Sequence, residues 1–201
     1  VDHSSTYPYV MKKSLLFLLS ALPLFAAEPV AIFNGNNLDG WTAKGPESYW
    51  SVVDGAIVGK SDAKKQGSIL WTNESYQDFV LEAEFRYTGH VDSGFFLRNE
   101  SEQIQIGISG SLKRDMTCSP YIGKKGIYPV EGVGVSTLLK VGEWNQIKIS
   151  VKGKKYIVTL NGKQVLDYTT DEALEKGPIG LQVHPGLQME IQFRGLKLTK
   201  L

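Results

Sequence analysis

The sequence predicts an all-β protein built from two packed antiparallel sheets, and the region from Gly142 to Tyr168 is where this is plainest. Ile147, Ile149 and Val151 alternate with Gln146, Lys148, Ser150 and Lys152, the period of a strand with one wet face. Lys152-Gly153-Lys154 then turns the chain, and Asn161-Gly162 offers the positive φ angles of a type I′ hairpin. A three-stranded meander cannot bury its apolar face alone. Short strands with turn signals recur along the rest of the chain, and no helical period lasts more than a couple of turns, so a second sheet is the expected cover.

Taken in order, the first segment is not part of that fold. Met11, Lys12 and Lys13 precede an apolar run from Leu15 to Phe25, and Ala26-Ala27 follows. This is the pattern of a secretory signal peptide cleaved near Ala27, too short and wrongly flanked for a membrane anchor. Residues 1–27 are therefore read as an upstream remnant plus signal peptide, and residues 28–201 as one domain exported to the periplasm or the extracellular space. The 174 residues of that domain suffice for a full core.

Export changes the charge and cysteine arguments. Without residues 1–27 the chain holds 20 basic and 20 acidic residues, a balance that offers a polyanion nothing. No nucleic-acid partner is expected, and no membrane partner after cleavage. Cys118 is alone, so it can form no internal disulfide, and it reads as a small buried side chain.

Trp50–Val53 and Ala56–Gly59 flank Asp54-Gly55, a second tight hairpin signal. Gly67–Trp71 is a short strand. Phe79–Tyr87 alternates cleanly, with Leu81, Ala83, Phe85 and Tyr87 on one face and Val80, Glu82, Glu84 and Arg86 on the other. Ser93–Arg98 and Gln103–Ile108 pair around Asn99–Glu102. Asp171–Lys176 has the length of a single helical turn. Pro178–His184 and Gln188–Leu198 close the domain, the second with a phase change at Arg194-Gly195 that predicts a bulge. The exception is Ser109–Pro129, rich in Gly, Lys and Tyr and without a period, which reads as a functional loop folded over one face.

Six stretches in register carry a family resemblance: Phe33-Asn-Gly-Asn-Asn-Leu-Asp-Gly-Trp41, Trp50-Ser-Val-Val-Asp-Gly55, Asp92-Ser-Gly-Phe-Phe-Leu-Arg98, Glu143-Trp-Asn145, Leu160-Asn-Gly162 and Gly177-Pro-Ile-Gly-Leu-Gln182. From about Val30 to Leu201 the chain resembles the 3-keto-disaccharide hydrolase family. The resemblance implies a concanavalin-A-like jelly-roll sandwich, secretion, and cleavage of glycosides already oxidised at C3, by elimination of the aglycone, by hydration of the resulting glycal, or by both. The chain departs from the family pattern after Gln103-Ile-Gln-Ile106, where many members carry an acidic residue and this one carries Gly107.

Strand parity nominates the chemistry. Gln103 and Gln105 oppose Ile104 and Ile106, and Gln182 and His184 oppose Leu181 and Val183, so Arg98, Gln103, Gln105, Gln182 and His184 converge if their strands share a sheet. Amides and a guanidinium offer the paired donors and acceptors that sugar hydroxyls require. A ketone at C3 acidifies the C2 proton, so elimination needs a base near neutrality and a group that stabilises the enediolate. His184 fits the base or a metal ligand, with Arg98, Lys113 or Arg114 as electrostatic partners. The alternative is a His merely hydrogen-bonded at a strand end. Asp115, Tyr121 and Tyr128 on the loop are further substrate-binding or acid–base candidates. A divalent metal is left open as cofactor.

Two competing readings remain. Glu82 and Glu84 lie on one face at the spacing of a glycosidase carboxylate pair, but Arg86 and Tyr87 stand where a third acidic residue would be expected. A non-catalytic lectin-like module would keep the polar face and need no titrating base. An approach of His184 to Arg98 or to an acidic group inside a concave pocket would favour the enzyme; a flat, exposed His would favour the module.

Overall fold

The computed structural model describes residues 1–2 and 27–201; the expected signal sequence, apart from Ala27, lies outside the described residues. Fourteen strands run in chain order: β1 (Val30–Ala31), β2 (Trp41–Lys44), β3 (Trp50–Val53), β4 (Ala56–Lys60), β5 (Ser68–Thr72), β6 (Phe79–Tyr87) and β7 (Asp92–Leu97). Then follow β8 (Glu102–Gly107), β9 (Pro120–Ile122), β10 (Asn145–Lys152), β11 (Lys155–Leu160), β12 (Lys163–Thr169), β13 (Ile179–Val183) and β14 (Glu190–Lys200). One four-residue helix, α1 (Val135–Leu138), precedes β10. Asp171–Lys176, expected as a helical turn, is a pair of bends with no helical bonds; Lys154 holds its start through a Thr170 N–H bond of 2.9 Å.

All pairings are antiparallel. The larger sheet has the order β12-β11-β10-β6-β14-β4-β3, with β1 added on β14, and the smaller has β2-β5-β13-β7-β8-β9. The two sheets form the concanavalin-A-like jelly-roll sandwich that the resemblance implies. Sequence-distant strands meet at both centres: β6 lies between β10 and β14, and β13 lies between β5 and β7.

The core follows from alternation. Phe79, Leu81, Ala83, Phe85 and Tyr87 of β6 are all buried, and Ile179, Leu181 and Val183 face them from β13's side of the sandwich. Across the gap Phe95 meets Phe193 edge to face at 5.4 Å. Burying a ring of that size stabilises by about 1.5–3 kcal/mol, so a handful of such contacts outweighs any surface ion pair. Trp41 and Trp50 belong to this core, each with its indole N–H satisfied, by the Ile32 carbonyl at 2.9 Å and the Ser68 hydroxyl at 2.8 Å.

The turns obey their chemistry. Asp54 and Gly55 have φ of 50° and 75°, and Asn161 and Gly162 have 47° and 81°, the left-handed pairs of type I′ hairpins. In β14 the pairing to β6 slips between Arg194 and Lys197, and Gly195 at φ 62° is the bulge. That slip moves the inward phase from Ile191 and Phe193 to Leu196 and Leu198 and keeps the long strand apolar inside. Changing Gly162 to Val places a β-branched residue at positive φ, and the melting midpoint should fall by the equivalent of about 1 kcal/mol or more. An unchanged midpoint would contradict the turn.

One end of the sandwich is closed by buried polar groups. Glu102 is fully enclosed between the sheets, accepting from the Tyr156 hydroxyl and from Thr170 Oγ1 at 2.7 Å. Burial and the adjacent carboxylate push the Tyr156 hydroxyl strongly up from its ordinary value, so it remains the donor.

Candidate functional site

On the outer face of the smaller sheet, β7, β8 and β13 present their outward residues side by side, and a pocket of about 260 Å³ opens there. Asp92 and Phe96 come from β7, Gln103 and Gln105 from β8, and Gln182 and His184 from β13 and its end. Ser109, Gly110, Ser111, Tyr121 and Tyr128 supply one wall. The floor is low where side chains are missing. A Cβ on Gly94 would stand 2.7 Å from Gln103 Nε2, and one on Gly180 would stand 2.7 Å from the Trp71 ring. Glycine at these positions lets Gln103 lie across β7 and lets Trp71 and Phe96 approach to 5.6 Å.

The wall formed by Ser109–Pro129 is more regular than its composition suggests. Cys118 N–H donates to the Gln105 carbonyl at 2.8 Å, Gln105 N–H to the Ser119 carbonyl at 3.0 Å, and Met116 N–H to the Gly107 carbonyl at 3.0 Å. The segment thereby extends the edge of β8, and β9 completes it with Tyr121 opposite Gln103. Cys118 is fully buried at φ 65°, and enclosure followed by the Asp115 charge pushes its thiol up. It is an inert core side chain.

The polar groups are organised around Asp92. Its side chain is only 8% exposed; Oδ1 accepts from Gln105 Nε2 and Oδ2 from Gly110 N–H, both at 2.8 Å. Beside it, Gln103 Nε2 donates to Gln182 Oε1 at 2.6 Å, which leaves the Gln182 NH₂ group with no partner among the described residues. His184 completes the set. Its Nδ1 lies 2.6 Å from the Pro185 carbonyl, which has only lone pairs to offer, so Nδ1 carries a proton, and in the neutral imidazole Nε2 carries the lone pair. Nε2 lies 3.8 Å from Asp92 Oδ2, beyond hydrogen-bond reach. Tyr121 and Tyr128 stand ring to ring at 4.9 Å. Burial, helped by the Asp92 charge, pushes the Tyr128 hydroxyl up to about 12 against an opposing contact from Ser109. Tyr128 is therefore a protonated donor at neutral pH.

Four of the five residues nominated by parity, Gln103, Gln105, Gln182 and His184, are brought together here, joined by the loop candidates Tyr121 and Tyr128. Arg98 is not. Its parity matches Phe96, but φ of 68° ends the extended strand and swings the side chain back to the larger sheet. There it is 1% exposed, bonded to the carbonyls of Gly153 at 2.7 Å and Leu174 at 2.8 Å, to the Gln77 carbonyl, and to Asp78 at 3.0 Å. Lys113, Arg114 and Asp115 are also elsewhere. A turn closed by Lys113 N–H on the Ser109 carbonyl reverses the chain, and Asp115 pairs with Ile108. Arg114 then forks onto Glu131, and Arg114 and Asp115 line a separate groove.

The glycosidase pair is not part of this pocket; Glu82 and Glu84 line a separate groove on the larger sheet. Glu82 and Glu84 point outward from the larger sheet, away from the pocket, and each is held by a cation: Glu82 by Lys148 at 3.0 Å and Glu84 by Arg194 at 2.7 Å. Trp144 is covered there by Arg86 and Arg194 at 4.5 and 4.0 Å.

Sequence reasoning missed Asp92, Phe96 and Glu100, and took the Ser109–Ser111 turn only as the start of a longer functional loop. A strand started at Ser93 leaves Asp92 just outside, because Asp is a poor strand former. It belongs to β7 because Gln105 and Gly110 satisfy its carboxylate. Parity with Phe96 and Gln105 was the signal available.

Among the described residues no cluster of three or more His, Cys, Asp or Glu is close enough to hold a metal ion.

Comparison with known proteins agrees with this architecture. Residues 28–199 match the sequence profile of the 3-keto-alpha-glucoside-1,2-lyase-like domain. Two structures of candidate glycosyl hydrolases from Parabacteroides distasonis superpose with TM-scores of 0.66 and 0.63, at 24% and 18% identity. The matches cover 87% and 86% of this chain and 100% and 94% of those. The carbohydrate-binding module CBM66 from Bacillus subtilis superposes with a TM-score of 0.59 at 17% identity, over 80% of this chain and 96% of the module. At such identities the likeness is one of fold. Among curated proteins none matches significantly.

Proposed function

Because the chain belongs to the 3-keto-alpha-glucoside-1,2-lyase-like domain family, we propose that it is an exported enzyme that cleaves 3-keto-glycosides by β-elimination, with or without hydration of the product. The observation that carries the reading is His184: Nδ1 is committed to the Pro185 carbonyl, and Nε2 presents its lone pair to an amide-lined pocket. With the pyranose in the pocket, Nε2 takes the C2 proton. The electron pair of that C–H bond forms the C1–C2 double bond as the bond from C1 to the aglycone oxygen breaks, or rests on the C3 oxygen as an enolate in between. The Gln182 NH₂ group is suited to donate to that oxygen, and the Tyr128 hydroxyl, held protonated by burial, is suited to protonate the leaving oxygen. Addition of water across the double bond returns a 3-keto sugar, and the net result is hydrolysis. An N-terminal signal sequence ending near Ala27 would deliver this domain to the periplasm or outside the cell.

The test is direct. Incubated with an aryl 3-keto-glucoside, the protein should release the aglycone and form the 2-hydroxy-3-keto glycal or the 3-keto sugar, and it should leave the unoxidised aryl glucoside intact. Equal release from both substrates would overturn the mechanism, since only the ketone acidifies C2.

A second reading, a saccharide-binding module, rests on the same amides. They can hold sugar hydroxyls whether or not His184 titrates, and this reading expects retention of the 3-keto-glucoside without release. The approach of His184 to Asp92 inside a concavity favours the enzyme.

A further inference from the structure

We infer that the pocket sorts saccharides by charge, accepting neutral or amino-bearing sugars and rejecting uronates, and that Asp92 is the residue that does so. This rests on the reading of the pocket as a saccharide site, whether or not the site is catalytic.

The argument starts from what lines the cavity. Its ionisable residues are Asp92, Glu100, Tyr121, Tyr128 and His184, with neither lysine nor arginine among the lining. The basic residues expected to bind substrate do not line it: Arg98 is bonded to the opposite sheet, Lys113 is absent from the lining, and Arg114 is paired to Glu131. The two carboxylates are not equivalent. Glu100 sits half-exposed at the rim against Lys44, so its charge is balanced and screened by solvent. Asp92 is enclosed, and its hydrogen bonds come from the neutral Gln105 amide and Gly110 N–H, which satisfy its lone pairs and leave its charge uncancelled. His184 donates from Nδ1 to the Pro185 carbonyl, and its Nε2 stays 3.8 Å from Asp92 Oδ2, beyond hydrogen-bond reach.

A ligand in a cavity of about 260 Å³ lies within a few ångströms of every wall. A sugar carboxylate there meets a like charge with little water between, and its desolvation is repaid by no cation. A hydroxyl or hydroxymethyl group at the same position meets amides and tyrosine hydroxyls. An ammonium meets a carboxylate of opposite charge. The expected order is therefore amino sugar, then neutral sugar, then uronate, although all three make the same ring hydrogen bonds.

The test uses methyl glucoside, methyl glucuronide and methyl glucosaminide as probes, with affinities read by titration of the wild-type domain. The glucuronide should bind at least about tenfold more weakly than the glucoside, the effect of one like charge nearby at the effective dielectric of a half-buried site, and the glucosaminide at least as tightly as the glucoside. In Asp92→Asn, which keeps the shape, removes the charge and leaves one acceptor oxygen where Asp92 has two, glucuronide and glucoside should come within about threefold of each other. In Glu100→Gln the wild-type gap should persist. Equal affinity of the wild type for glucoside and glucuronide overturns charge selection and leaves the pocket a saccharide site. Binding of none of the probes overturns both. The wild-type order stands as evidence even if Asp92→Asn folds poorly, because it needs no variant.

Discussion

Replacement of His184 by alanine is expected to lower turnover of a 3-keto-glucoside by about 10²-fold or more, the usual contribution of a positioned general base. The fold should be untouched. The side chain lies at the end of β13, is 37% exposed, and among the described residues its only hydrogen bond is to the carbonyl of its own neighbour. No buried donor or acceptor is orphaned by its removal, so the melting midpoint should stay within about a degree, as for other partly exposed sites. The two readings of the pocket part at this variant. If His184 takes the C2 proton, the loss falls on kcat while KM moves little, because the sugar is still held by Gln103, Gln182 and the tyrosines. If His184 only touches sugar, affinity falls and no chemical step is lost. Wild-type turnover in His184→Ala would sink the base assignment.

Arg98→Met is expected to have the opposite profile, a large loss of stability with the kinetic constants of the surviving folded protein unchanged within about twofold. The guanidinium ties β7 to the Gly153 turn, to Leu174 and to the Gln77-Asp78 segment before β6. Asp78 also accepts from Gly153 N–H at 2.8 Å, so one residue holds a turn of the larger sheet against the end of the smaller one. Removing a buried charged partner leaves several carbonyls and a carboxylate uncompensated, a cost of about 3–5 kcal/mol. For a domain of this size that corresponds to a fall in Tm on the order of 10 °C. Arg98→Lys should recover only part of it, since a single ammonium cannot reach three directions at once. A kcat collapse in either variant with an unchanged Tm would return Arg98 to the catalytic machinery.

These two residues mark how far sequence reading reaches. Alternation in β6, β10 and β11 and the Asp54-Gly55 and Asn161-Gly162 turns are legible because each depends on neighbours within a few residues: a side chain two positions on shares its face, and a left-handed pair demands Asn, Asp or Gly. The same parity rule carries Gln103, Gln105, Gln182 and His184 to one surface, since β8 and β13 are regular throughout. Where a strand ends, the rule ends. Arg98 has the parity of a pocket residue, but one left-handed φ sends it across the sandwich, and that angle is held by contacts with Gly153 and Leu174, more than fifty residues away. Lys113, Arg114 and Asp115 likewise follow a turn whose geometry depends on the edge of β8.

By itself, then, the chain's order of residues determined the two-sheet architecture, the hairpins, the bulge in β14 and which faces of β8 and β13 are polar, all consequences of local period and turn chemistry. Only the tertiary structure decided that β7 lies between β8 and β13, that Asp92 joins their polar face while Arg98 leaves it, and that Ser109–Pro129 forms an edge and not a free roof. The physical reason is the same in each case: backbone donors and buried charges must find partners, and in an antiparallel sandwich the partners that satisfy them are distant in sequence and appear only when the sheets close.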